Sequence, residues 1–179
     1  MINLFFRLYS YLYIIYLKVV YPKRIDIKGK IKAKRFFRIE VSKNAKLIIN
    51  GTITVKENVL FAVRKDATLQ IGNKVFFNRN CSIVARNLIV INDGCMFGEG
   101  VKIYDHDHKI EKNKISKDKY TTAPIYIGKD SWIANNTNIL KGSHIPENTV
   151  IAAMSLVNKP LNECGLYAGI PVNYKHSLR

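Results

Sequence analysis

Residues 127–157 read IGKDSW IANNTN ILKGSH IPENTV IAAMSL V when cut into sixes. Each block opens on an aliphatic side chain: Ile127, Ile133, Ile139, Ile145, Ile151 and then Val157. A period of six is neither the 3.6 of a helix nor the simple alternation of a strand. It fits a chain climbing a three-sided parallel β-coil, one block per side and three per turn. Each rung then points inward and stacks on the rung one turn below. Four positions after each rung stands a small residue, Ser131, Thr137, Ser143, Thr149 and Ser155, suited to the tight corners of a narrow prism. The turns of an ordinary β-sandwich would not keep a fixed count of six.

An earlier run has the same period: Ile71, Phe77, Ile83, Ile89, Cys95, Val101. Before it come less regular coils, Ile25, Ile31 and Phe37, then, after a slip of phase, Val41, Leu47, Ile53 and Val59. Between Asp105 and Ala123 the rungs vanish and the chain reads DHDHKIEKNKISKDKYTTA. The ladder then resumes at Ile127. The expected organisation is a β-helix over residues 23–160 with an extruded loop at 105–123, followed by a short tail at 161–179. Loops excluded from a regular scaffold are where function concentrates.

Residues 1–22, MINLFFRLYSYLYIIYLKVVYP, carry no six-residue period. Wound at 100° per residue they form an amphipathic helix with Asn3, Arg7, Ser10 and Lys18 along one narrow stripe. Arg7 and Lys18 leave ten residues between them, too few to span a bilayer, and no small-residue cleavage site follows. Two readings remain open: a helix lying in a membrane interface, with tyrosines at headgroup depth, or a helix packed against a neighbouring subunit.

The chain of 179 residues is 47% hydrophobic with a formal charge of +16, enough apolar mass for one domain. Basic residues crowd Lys18 to Arg38. Anionic lipid or an anionic substrate would explain them. No nucleic acid is expected, because no helix-turn-helix, RNP-like or zinc-finger pattern is present. Cys81, Cys95 and Cys164 form no close pair, which fits a cytoplasmic protein. In-phase Cys95 reads as a small buried hydrophobe.

Chemistry concentrates at the mouth of the loop, in Tyr104-Asp105-His106-Asp107-His108. Histidine is the side chain best suited to accept a proton near neutral pH. Asp105 or Asp107 could orient such an imidazole. A metal is not expected, since no further Cys, His or Glu cluster completes a ligand set.

These rungs, the looped-out DHDH segment, the run PIYIGKDSWIANN (124–136) and the ending AAMSLVNKP…AGIPV resemble the left-handed β-helix hexapeptide-repeat acyltransferases. Among its members the chain looks like the galactoside and maltose O-acetyltransferases and the bacterial polysaccharide O-acetyltransferases. The resemblance covers residues 71–174, a little over half the chain. It implies an all-β, left-handed parallel β-helix and transfer of acetyl from acetyl-CoA to a sugar or polysaccharide hydroxyl. On the family's pattern His108 matches the catalytic base, with His106 second. Asn78 resembles an asparagine near that histidine. Trp132, Ala134, Asn135, Ala152, Ala153 and Asn158 match the coenzyme groove, with Lys159 and Lys175 as phosphate partners. The groove lies between subunits, so a homotrimer is implied. Ala134, Met154 and Asn158 depart from the usual glycine, glycine and threonine. N-acetylation of an amino sugar, inactivation of an antibiotic and a non-catalytic β-helical scaffold are the alternative functions. The implied location is cytoplasmic, with the N-terminal helix placing the protein on the inner face of the membrane and the basic belt meeting acidic lipid or an acidic glycan.

Overall fold

The computed structural model describes the backbone of residues 2–178 and the side chains of residues 8–178. Strands of two to four residues, separated by corners, climb a three-sided parallel β-helix. Among the described residues one face holds six strands, from Ile25–Ile27 to His144–Ile145. The second holds eight, from Ile31–Ala33 to Asn173–His176. The third holds six, from Arg38–Val41 to Leu156–Val157. All neighbours pair in parallel except at the last strand of the second face and in a separate two-stranded ribbon. The ladder therefore runs past Pro160: Leu166–Ala168 adds to Val150–Ile151, and Asn173–His176 folds back on it.

The rungs of residues 127–157 are fully buried and stack in register, Ile127 on Ile145, Ile133 on Ile151 and Ile139 on Val157. The small residues four positions on are buried too, for a reason beyond size. Ser131 Oγ donates to the carbonyl of Pro146, Thr137 Oγ1 to that of Ala152 and Ser143 Oγ to that of Val157, at 3.0–3.1 Å. Each hydroxyl thus satisfies a carbonyl that the turning backbone of the next coil leaves over.

The earlier run does not form one ladder. Ile71 pairs with Ile91, not Ile89, and Phe77 with Phe97. The early coils repeat every 22 residues, as Ile27, Ile49 and Ile71 show, so each strand turns two side chains inward rather than one. Cys95 and Val101 lie in the small-residue corners beneath Ser131 and Thr137. The Cys95 thiol donates to Gly128 O and the Cys81 thiol to Gly98 O, both at 3.2 Å, performing the work of the later hydroxyls. Burial pushes both thiols up to about 11. Only Cys164 is exposed. At pH 8 a thiol reagent should therefore label one cysteine per chain quickly and the other two only on unfolding. Both folded-state pKa values lie above the unfolded one, so this contribution to stability is complete below pH 9 and is lost as pH rises towards 11.

The N-terminal helix, Ile2–Val20, closes the first coil. Solenoids need such caps because their end strands expose both core and backbone donors. Leu17 plugs the core. Ser10 Oγ accepts from Ala33 N at 3.0 Å and Tyr13 Oη from Ile39 N at 3.0 Å. Ser10 is thus buried against the prism rather than part of an outward polar stripe; Asn3 and Arg7 of that stripe lie outside the described side chains. Tyr13 also begins an aromatic spine, Tyr13–Phe37–Phe61–Phe77–Phe97, with ring centroids 4.8–6.0 Å apart.

Candidate functional site

The extruded segment is not an irregular loop. His106–Glu111 and Lys114–Thr122 form an antiparallel hairpin. Its two-residue turn, Lys112-Asn113, has positive φ at both positions (48° and 61°), the twist that matches paired strands. Chain exit and return are adjacent, because Ala123 N donates to Asp105 O at 3.1 Å. The solenoid can therefore continue: Ile91 and Ile127 pair although 36 positions apart, twice the 18 of the later coils.

Asp105 anchors the exit. Its side chain is completely buried and accepts from the amides of Arg86 and Asn87 at 2.7 Å each. Asp105 Oδ1 also lies 3.1 Å from His106 Nδ1. A carboxylate held by two backbone donors is a fixed group, so it sets the orientation of the ring that it touches.

Strand alternation puts His106 and His108 on one side of the hairpin and Asp107 on the other. Tyr120, paired with His108 across the ribbon, packs against both rings, 5.5 Å from His106 and 4.8 Å from His108. The Arg86 guanidinium lies over the Tyr120 ring at 3.4 Å from its centroid. Asp107 ion-pairs with Lys141 of the coil above, pinning the hairpin's far side. His108 Nδ1 lies 2.9 Å from Ser116 O. A carbonyl can only accept, so Nδ1 carries the proton, and in the neutral ring Nε2 is the nitrogen left to accept one.

The remaining expected site residues divide between two corners of the prism. His106, His108, Asp105 and Asp107 stand at the corner where the third face turns into the first, with Asn158 and Lys159 above them at the end of the third face. Asn78, Ala134, Asn135, Ala152 and Ala153 stand at the opposite edge of the third face, stacked in one column. Asn135 Oδ1 accepts from Glu99 N at 2.9 Å. Trp132 projects from the second face between Met96 and Val150 and is 47% exposed. Lys175 lies on the last strand of that face. One side of the prism, a strand of two to four residues with its flanking turn, separates the two corners. Asn78 therefore does not meet the histidines of its own chain; its carbonyl oxygen instead accepts from the Arg79 amide at 2.9 Å. No group of three or more His, Cys, Asp or Glu side chains able to hold a metal occurs among the described residues.

Sequence reading did not single out Tyr120, Arg86, Ser116 or Lys141. Reading Lys112-Asn113 as a hairpin turn would have placed Ser116 near His108, whereas Tyr120 comes to lie opposite His108 only through the register shift between His108 and Ile110.

No family model matches the chain. By sequence it is similar to the galactoside O-acetyltransferase of Escherichia coli, 29% identical over 138 residues, 74% of this chain and 67% of that one. Among solved structures it is similar to a hexapeptide-repeat acetyltransferase of Vibrio cholerae complexed with acetyl coenzyme A. Identity there is 28%, the TM-score 0.57, and coverage 62% of this chain and 61% of that one. A maltose O-acetyltransferase of Clostridium difficile, 19% identical with a TM-score of 0.59 over 99% of this chain and 89% of that one, shares the fold. These neighbours are left-handed β-helix acetyltransferases. The chain spans about two fifths to two thirds of the length of the curated relatives it matches.

Proposed function

We propose that this hexapeptide-repeat β-helix, whose relatives are acetyltransferases, transfers acetyl from acetyl-CoA to a hydroxyl of a sugar or surface polysaccharide. The observation that carries the reading is the His108 ring, with Nδ1 tied to a backbone carbonyl and Nε2 free on a hairpin that projects from the column. His108 Nε2 takes the proton from the acceptor hydroxyl as its oxygen attacks the thioester carbonyl. The tetrahedral oxyanion collapses, the C–S bond breaks and the coenzyme thiolate takes the proton from the imidazolium. Such base catalysis contributes about 10²–10⁴ in rate. His106, oriented by Asp105, flanks the acceptor.

Ala134, Asn135, Ala152 and Ala153 stand one face away from the histidines, so the reading joins the two corners from different copies of the chain. The second corner of one copy would bring the column of Ala134 and Ala152, with Asn78, to the hairpin of the next, and three copies would close the ring. Exposed Met96 and Trp132 on the second face support such packing. In this arrangement a backbone amide near Ala134, or Asn78, receives the oxyanion; Asn158, Lys159 and Lys175 supply polar and cationic groups for the coenzyme.

Arg86 points to the acceptor's charge. Its guanidinium, held against Tyr120 beside both histidines, suits a carboxylate-bearing sugar. Arg86→Gln is expected to raise KM for such a glycan by about 10–100-fold, the worth of a charge-assisted hydrogen bond, and to leave a neutral glycan unaffected. The test of the whole reading is release of free thiol from acetyl-CoA across a panel of neutral and acidic glycans. No release with any member of the panel would overturn it.

A further inference from the structure

The N-terminal helix is apolar on two opposite sides. Leu17, Tyr13 and Ser10 face the first coil. Leu8, Leu12, Ile15, Tyr16 and Val19 face away from it and are exposed, Val19 to 73%, and Tyr11 is exposed on the flank. An apolar side of a helix is normally packed against something, so the outer side lacks its cover. Where the helix overhangs the second face it leaves a groove of about 910 Å³. Its apolar lining includes Tyr11, Ile14 and Ile31, and its rim carries Lys30, Lys32, Lys34 and Lys56. Lys18, Lys23 and Lys28 stand nearby in the chain.

We propose that this end of the column docks on an anionic membrane surface. The helix lies in the interface plane with its outer side at the boundary between headgroups and acyl chains, and the groove lysines meet lipid phosphates. Two features select this cover over a second copy of the chain. Pairing two helices face to face would bring the two lysine clusters together at a repulsive cost, whereas an acidic bilayer satisfies the apolar side and the charge at once. The exposed surface of the helix also carries Tyr11 and Tyr16, whose rings suit headgroup depth. No helix among the described residues is long and apolar enough to cross a membrane, so the contact is one of lying on the surface.

The test is co-sedimentation of the full chain with vesicles of phosphatidylcholine, alone or with a third phosphatidylglycerol. The expected result is binding to the acidic vesicles at least tenfold tighter than to the neutral ones, weakening with salt. Replacing Lys30, Lys32 and Lys34 by Gln should reduce that binding by about a hundredfold. Leu12→Ser with Ile15→Ser and Val19→Ser should abolish it while circular dichroism stays unchanged, because none of the three supports the cap. Wild-type protein that ignores acidic vesicles, or a triple serine variant that still binds them, overturns the proposal. So does a triple serine variant whose mass by light scattering falls, which would assign the face to a contact between copies. Acetyl transfer to a soluble glycan is independent of all these outcomes.

Discussion

His108→Ala is expected to lower kcat/KM for acetyl transfer by about 10²–10⁴, the contribution of a positioned base. The ring is exposed, and its one hydrogen bond is to Ser116 O on the neighbouring strand. Its removal should therefore leave melting temperature and oligomeric mass unchanged. His106→Ala should cost less in turnover, because His106 is the ring that leans on Asp105 rather than the one matching the family's base. Asp105→Ala should behave differently from both: two amides lose their acceptor at once, each loss costing about 1–3 kcal/mol, so activity and stability fall together. Thiol release and thermal melts on the three variants separate these cases. If His108→Ala turns over like wild type while His106→Ala is dead, the roles of the two rings are reversed.

Phe77→Ala should be the most damaging single truncation in the column. The Phe77 ring is fully buried, stacked on Phe97 at 4.8 Å and edge-on to Phe61 at 4.9 Å. Truncating a buried Phe costs about 3–5 kcal/mol. Coils of a solenoid touch only their neighbours, so a cavity here weakens the join between the early 22-residue coils and the rest. Chemical denaturation should show a lowered midpoint and, at the limit, two transitions where the wild type has one. A loss below 1 kcal/mol with a single transition would show that the neighbouring rings close the gap.

The later coils were legible because one inward residue per side makes the period six, and a fixed period is visible without any partner. The early coils were only half legible. With two inward residues per strand, Leu47 and Ile49 or Leu69 and Ile71, several six-spaced runs can be threaded through the same segment, and the run ending in Cys95 and Val101 mixed rungs with corners. The DHDH segment was recognised as special by its lack of rungs. Its hairpin gives no alternation to read, because both strands are polar and mostly exposed along their length. Ser10 shows the same limit from the other direction. A serine in an apolar helix reads as part of a polar stripe, and only its hydrogen bond from the amide of Ala33 reveals that it turns inward. The separation of Asn78 from the histidines lay beyond reach, since it depends on which corner each residue occupies.

Stacked coils advance by one strand spacing each, about 4.8 Å. The hairpin leaves at the end of the fourth coil counted from the helix, so His106 and His108 ride about 15 Å above the first. That elevation can change only in whole storeys: deleting one coil would lower the imidazoles by a single step, and inserting one would raise them by the same. The distance between the foot of the column and its reactive corner is thus a property of repeat number, adjustable without touching any residue of either end.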